Sequence, residues 1–229
     1  TDMNTPREET VYFGGRQWGK PNNMNPLSPN PNLFGMAQTD FPDEQLYETL
    51  YMYNLLTNEI YPLLADGDIE WNADNTVATV KINPDAKWND GTPVTAEDVK
   101  ATFDTHVKYQ STIGVDYEQY IESVTVNGDA VEFKCVSTEL YNPLKVKQYL
   151  ANTFVMQKAY IDTLSAEVSD DAAEFKQATM WDAPTSGPYK LTLYDSEQKV
   201  IFERDDNYWG QAESLWGGLA VPKYLVHNM

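Results

Sequence analysis

At positions 87–99 the chain reads Lys87-Trp88-Asn89-Asp90-Gly91-Thr92-Pro93-Val94-Thr95-Ala96-Glu97-Asp98-Val99, a turn–helix segment that joins a strand end, a tight turn and a helix start. Gly91 suits the turn because glycine accepts the positive φ that residues with side chains resist. Thr95 is placed to cap the helix, and the acidic residues after it suit the positive end of the helix dipole. Val99 begins an apolar stripe with a spacing of four residues, which predicts one buried helix face.

The rest of the chain alternates irregularly between strand and helix patterns, which favours a mixed α/β or α+β fold class. Alternating apolar residues predict strands, and an Asn-Gly-Asp turn at 127–129 predicts a hairpin. Apolar residues three and four apart predict helices. The predicted elements are a short strand at 11–13, a helix at 43–56, a strand at 76–82, a hairpin at 124–136, helices within 143–180 and a last hairpin at 189–203.

Four segments of the chain resemble, in order and in spacing, the extracellular solute-binding proteins of ABC importers. The turn–helix segment resembles a signature of family 5, the group that carries peptides, nickel and oligosaccharides. The other three are Pro62-Leu63-Leu64-Ala65, Ser186-Gly187-Pro188-Tyr189-Lys190-Leu191 and Glu203-Arg204-Asp205-Asp206-Asn207-Tyr208-Trp209-Gly210.

This resemblance implies one lobe of a two-lobe, periplasmic-binding-protein-like fold, with a mixed β-sheet and flanking helices. Residues 1–44 and 185–229 would form the ligand-facing subdomain of the first lobe. Residues 45–184 would form a smaller, inserted subdomain. Family members are longer because a second lobe follows, so we expect the second lobe to be absent from this chain.

Composition and residue pattern argue against several other functions. The formal net charge of −19 disfavours a phosphate-backbone partner, so no nucleic acid is expected. His106 is expected on the polar side of its helix, and Cys135 is expected to be a small buried hydrophobe. No motif for a catalytic group, a metal site or a cofactor stands out. The prediction is therefore a binding protein without enzymatic activity.

The expected ligand-binding residues combine aromatic rings with amides and a hydroxyl group. The segment 14–27 concentrates such residues and resembles the opening of the branch that binds cello- and β-glucan-oligosaccharides. Aromatic faces pack on sugar rings, and amides both donate to and accept from hydroxyl groups. The expected set is Gln17, Trp18, Asn22, Asn23, Asn25, Trp181 and Ser186.

The resemblance implies an extracellular solute-binding component, expected to be a monomer, that passes its ligand to ABC permease subunits in the membrane. Its location would be periplasmic, extracellular or lipid-anchored at the outer face of the cell membrane. The preferred ligand is a cello-, β-gluco- or xylo-oligosaccharide, captured in a cleft between two lobes. An oligopeptide carrier of the same family and a non-transport interaction domain are the alternatives.

Overall fold

The computed structural model of the protein describes residues 4–13, 23–29, 46–195 and 199–228. The strands in these ranges are β1 (Thr10–Phe13), β2 (Tyr51–Asn54), β3 (Glu59–Pro62), β4 (Glu70–Trp71), β5 (Val77–Lys81), β6 (Ile121–Asn127), β7 (Ala130–Cys135), β8 (Tyr189–Asp195), β9 (Lys199–Arg204) and β10 (Tyr224–Asn228). The α-helices are α1 (Ala96–Lys108), α2 (Thr112–Tyr120), α3 (Pro143–Asn152), α4 (Lys158–Glu167) and α5 (Ala172–Gln177). Short 3-10 helices cover Arg7–Glu9 and Trp209–Gln211.

Two four-stranded sheets organise the chain. The terminal sheet has the order β1-β10-β9-β8, with β1 parallel to β10 and the other neighbours antiparallel. The middle sheet has the order β4-β5-β7-β6 and is antiparallel. Strands β2 and β3 pair separately as a hairpin. The mixed α/β architecture confirms the predicted fold class.

Each sheet packs against a different set of helices and so carries its own apolar core, and the terminal sheet also holds a smaller buried cluster of Ile201, Tyr224 and Val226. The middle core lies between the middle sheet and α1, α2 and α3. The terminal core lies on the terminal sheet and takes residues from α4 and α5. Strand β5 shows the local rule that builds these cores, since Ala78 and Val80 are fully buried on one face while Lys81 is exposed.

The turn–helix segment forms as predicted. Gly91 has a φ of +87°, and Thr95 caps α1 in a reciprocal capping box with Asp98. Val99 and Phe103 are buried in the middle core, which confirms the apolar stripe. Local turn and cap chemistry therefore determines this part of the fold.

Asp98 connects the turn–helix segment to the rest of the chain. Its side chain is only 5% exposed. Its Oδ2 accepts from Trp88 Nε1 at 3.1 Å and from the Thr95 backbone N–H at 2.8 Å. Its Oδ1 accepts from the backbone N–H of Lys158, the first residue of α4, at 2.7 Å. One buried carboxylate thus fixes the turn, the start of α1 and the start of α4.

The helix predicted at 43–56 is wrong over the part that the structure describes. From Leu46 the chain bends and then enters β2, which pairs with β3. Leu46 and Tyr47 belong to the terminal core, whereas Leu50 and Tyr51 belong to the middle core. These apolar residues belong to a bridging segment, residues 46–51, whose side chains pack into two different cores. They therefore do not form one face of a helix.

The predicted exposure of His106 is also wrong, because the side chain is 1% exposed. Helix α2 covers it. Its Nδ1 lies 2.7 Å from Ser111 Oγ, and its ring meets Tyr117 edge-on. Gly114 permits this approach, since a Cβ there would lie 2.0 Å from the His106 carbonyl oxygen. Burial lowers the pKa of His106 to about 3.

This pKa predicts a loss of stability in acid that a variant without the imidazole does not share. The unfolded chain takes up the His106 proton below a pH of about 6.5, whereas the folded chain resists protonation down to a pH of about 3. The free energy of unfolding should therefore fall by about 2 kcal/mol more between pH 7 and pH 5 in the native protein than in His106→Gln. Urea titrations across that range measure the difference, and parallel pH curves would refute the buried neutral imidazole.

Candidate functional site

The candidate site lies at one edge of the terminal sheet, where three strands end together. Strands β1, β8 and β10 run in the same direction, because β9 is antiparallel to both β8 and β10 and β1 is parallel to β10. Their carboxyl ends therefore share an edge. In open α/β sheets, ligands bind outside the carboxyl ends of the strands.

A row of paired residues crosses the sheet at this carboxyl edge. Phe13 pairs with His227, His227 with Val200, and Val200 with Tyr194. The Phe13 and His227 rings stack with centroids 4.6 Å apart, and Phe202 meets His227 edge-on. This packing fixes the position of the strand ends that border the site.

Asn23 and Asn25 brace the described part of the segment after β1. Asn25 is fully buried, and its Nδ2 donates to the carbonyl oxygens of Phe175 at 2.7 Å and Ala178 at 3.1 Å. Its Oδ1 accepts from the Leu27 backbone N–H at 2.8 Å. The side-chain Oδ1 of Asn23 accepts from the Asn25 backbone N–H at 2.9 Å. Both amide hydrogens of Asn25 are thus used inside the protein.

Trp181 lies at the same edge, although it is far from Asn23 and Asn25 in the sequence. The Met24 backbone N–H donates to the Thr179 carbonyl oxygen at 2.8 Å, which joins the two segments. Met180 adopts a left-handed φ of +54°, an uncommon conformation for such a side chain. The Trp181 ring then packs on Tyr194 with centroids 4.7 Å apart and an interplanar angle of 31°. The structure therefore brings Asn23, Asn25 and Trp181 together.

Ser186 is not brought to this edge. It precedes β8 and so lies beyond the amino end of the strand that ends at Asp195. The side chain is buried, and its Oγ has no hydrogen-bond partner among the described residues. Its neighbours are fixed through the backbone, since Asn89 N–H donates to the Thr185 carbonyl oxygen at 2.8 Å. Gln17, Trp18 and Asn22 lie outside the described residues.

A second feature, which the sequence did not reveal, is the buried carboxylate of Glu48. It accepts from Tyr208 Oη at 2.5 Å and from Trp209 Nε1 at 2.7 Å. An apolar cavity of about 650 Å³ adjoins it, with Met52 and Trp216 among its lining residues. The sequence signal that could have pointed to this buried carboxylate is an acidic residue within the mostly apolar run 46–51. Glu48 anchors the Tyr208-Trp209 pair and holds it against the bridging segment.

Tyr194 is the residue at the carboxyl edge that sequence reasoning missed. It is 37% exposed and lies in β8. The alternation of residues along a strand predicts which of them lie on the same face of the sheet, but it does not predict which residue from elsewhere in the chain contacts Tyr194. Its proximity to Trp181 depends on the register of β8 and on the left-handed turn at Met180, neither of which a single sequence states.

Two features are absent from the part of the chain that the structure describes, a metal site and a membrane-spanning helix. In that part of the chain, no three His, Cys, Asp or Glu side chains are grouped so as to hold a metal ion. None of the described helices has the length and apolar character needed to cross a membrane.

Comparison with known proteins gives a family match over most of the chain. The family described as bacterial extracellular solute-binding proteins, family 5 Middle, matches residues 59–220. The probable peptide-binding protein YejA of Agrobacterium fabrum is 28% identical over 169 residues, which cover 73% of this chain and 26% of YejA. The periplasmic oligopeptide-binding protein OppA of Escherichia coli is 28% identical over 154 residues, which cover 63% of this chain and 28% of OppA. The chain thus spans about a quarter of the length of these relatives.

Solved structures share the fold. A mannohexaose-bound periplasmic oligopeptide-binding protein of an oligopeptide ABC transporter from Thermotoga maritima superimposes with a TM-score of 0.78 and 25% identity, covering 99% of this chain and 38% of that one. The oligopeptide-binding protein AppA of Bacillus subtilis, in complex with a nonapeptide, gives a TM-score of 0.72 at 22% identity, covering 96% of this chain and 40% of AppA.

The bonding of Asn25 predicts that its loss weakens the fold. Asn25→Ala leaves two carbonyl oxygens and the Leu27 N–H without their partner in a buried site, so the free energy of unfolding should fall by about 2–3 kcal/mol. Asn152→Ala, at an exposed position, should change it by less than about 0.5 kcal/mol. Chemical denaturation measures both variants. Equal stability of the two would show that the internal bonds of Asn25 do not support the fold.

Proposed function

The chain belongs to the bacterial extracellular solute-binding proteins of family 5, and from that premise we propose that the complete protein is the solute-binding component of an ABC importer for oligopeptides. The family match over residues 59–220 is the observation that carries this proposal. The peptide assignment is supported by relatives whose names describe peptide binding, YejA and OppA. Those relatives are binding proteins, which agrees with a role without catalysis.

An oligosaccharide is the second candidate ligand, because one structure with this fold holds mannohexaose. The ring pair of Trp181 and Tyr194 could pack on the apolar face of a sugar. A cello-, β-gluco- or xylo-oligosaccharide therefore stays in the proposal as the competitor to a peptide. A non-transport interaction domain has no comparable support.

The proposed mechanism is capture by closure. Two lobes would close around the ligand by a hinge motion, and the closed form would be recognised by membrane permease subunits. The protein would act as a monomer in the periplasm or at the outer face of the cell membrane, where a lipid could anchor it. Ligand selection would depend on packing and hydrogen bonds.

The proposed organisation assigns residues 1–44 and 185–229 to a ligand-facing subdomain, 45–184 to an inserted subdomain, and the whole chain to the first of two lobes. This organisation is supported by the strands of the two sheets, because the strands of the terminal sheet come from the two ends of the chain and those of the middle sheet come from the residues between them. The proposed ligand contacts are Gln17, Trp18, Asn22 and Trp181. Asn23 and Asn25 would support the segment after β1. Ser186 is kept among the proposed contacts on the family resemblance alone.

Calorimetry on the complete protein tests the ligand class. Tri- to pentapeptides of mixed sequence should bind with measurable heat and should raise the unfolding temperature, because a ligand that binds only the folded state stabilises it. Cello-, xylo- and manno-oligosaccharides serve as the comparison and should be silent. Binding of a sugar with silent peptides would overturn the peptide assignment in favour of the second candidate. Silence of both classes would contradict the proposed function.

A further inference from the structure

An apolar cavity lies against the terminal sheet beside β1. Its volume is about 650 Å³, and Val11 and Phe13 of β1 and Leu225 of β10 line it. Val11 pairs with Leu225, and Phe13 is two residues further along β1, so all three lie on one face of the sheet. Met52 of β2 and Trp216 contribute to the rest of the lining. This end of the terminal sheet therefore borders apolar space and not a packed core.

The cavity has little charge of its own. Among the described residues that line it, Glu48 is the only charged one. Its carboxylate accepts from Tyr208 Oη at 2.5 Å and from Trp209 Nε1 at 2.7 Å. A charged occupant would give up its hydration for a lining that is almost entirely apolar, and such a transfer is costly. The chemistry of the lining therefore suits an uncharged, apolar occupant.

The chain beside the cavity is also apolar and open to solvent. Residues 215–222 read Leu-Trp-Gly-Gly-Leu-Ala-Val-Pro and carry no charge, although 22% of the whole chain is charged. Within this run, Trp216 is 55% exposed and Val221 is 90% exposed. Scattered exposed apolar side chains are normal, whereas a contiguous apolar patch marks an interaction site. The run and the cavity share Trp216, Leu219 and Pro222, so they form one apolar area.

Strand β1 adds a sheet edge to this area. It pairs with β10 on one side, and no described strand pairs with its other side. Val11 is 38% exposed and Tyr12 is 45% exposed, and none of the four residues of β1 is charged. Native proteins cover an open strand edge with another element or blunt it with charges. The outer edge of β1 has no charges, so it calls for a cover.

The lengths of related proteins indicate where such a cover comes from. The chain covers 38% of the Thermotoga maritima structure and 26% of YejA. A complete protein of similar length would hold more residues outside 1–229 than within it. A segment of the same polypeptide docks at a high effective concentration, so it can hold an apolar contact that a separate partner of equal size could not.

We propose that the cavity, the run 215–222 and the outer edge of β1 form one apolar docking surface, covered by an uncharged stretch of the complete protein outside residues 1–229. The inference rests on the proposed organisation of this chain as the first of two lobes. It names the surface through which this lobe holds the remainder of the protein. Because the contact is internal, it depends neither on bound ligand nor on protein concentration.

Photo-cross-linking in the complete protein tests the docking surface. Trp216 is replaced by p-benzoylphenylalanine, which keeps an aromatic side chain at the cavity and reacts on irradiation with the residues that touch it. Mass spectrometry should find adducts to residues outside 1–229, equally with and without a mixture of tri- to pentapeptides and unchanged on dilution. The same probe at Leu144, which is 75% exposed on α3, should give no such adducts.

Cysteine labelling gives a second measurement in case the bulky probe disturbs the fold. Val11→Cys and Leu144→Cys are compared by their rates of reaction with N-ethylmaleimide in the complete protein. Cys135 is buried, so the unsubstituted protein serves as the blank. Exposed fractions of 38% and 75% account by themselves for a difference of about twofold. Val11→Cys should react at least about tenfold more slowly than Leu144→Cys, because its modification requires the contact to open.

The outcomes separate the docking surface from the proposed function. Adducts only within residues 1–229, to a second copy or to an added peptide would overturn the docking surface, and so would labelling rates that differ by exposure alone. If peptides bind in calorimetry while position 216 gives no adduct outside 1–229, the docking surface fails and the proposed function stands. If neither peptides nor sugars bind while those adducts form, the proposed function fails and the docking surface stands.

Discussion

The buried carboxylate of Asp98 is the constraint on which the rest of the structure depends. A charge removed from water must be matched by donors, and here two backbone N–H groups and an indole N–H converge on it. Those donors come from the turn at Trp88, the cap at Thr95 and the first residue of α4. Since each donor belongs to a different element, satisfying one carboxylate fixes the relative positions of all three.

Further contacts extend this junction to the terminal sheet, at the amino ends of β8 and β10. Asn89 bonds to Thr185 through both backbone and side chain, which ties the turn to the segment that leads into β8. Glu48 binds the Tyr208-Trp209 pair and ties the bridging segment to the region between β9 and β10. The residues that resemble family motifs are thus mostly internal connectors. The carboxyl edge, where we propose that the ligand binds, carries the ring pair of Trp181 and Tyr194.

The sequence allowed accurate prediction wherever a local rule decides the conformation. The cap at Thr95, the turn at Gly91 and the alternation in β5 follow from turn chemistry and periodicity, and the structure confirms them. The predictions of a helix at 43–56 and of an exposed His106 failed because tertiary packing, into two cores in the first case and under α2 in the second, overrode the local pattern. The candidate site was predictable only in part: Trp181 stood out as an aromatic residue, whereas its partner Tyr194 is fixed by strand register.

The stability of Asp98→Ala tests the role of the central carboxylate most directly, with Glu97→Ala as the neighbouring exposed acidic control. The lost bonds leave the N–H groups of Thr95 and Lys158 without their acceptor, so the free energy of unfolding should fall by about 3–5 kcal/mol. Glu97→Ala should change it by less than about 1 kcal/mol. Equal and small losses in the two variants would contradict the account, because the three elements would then be held together without Asp98.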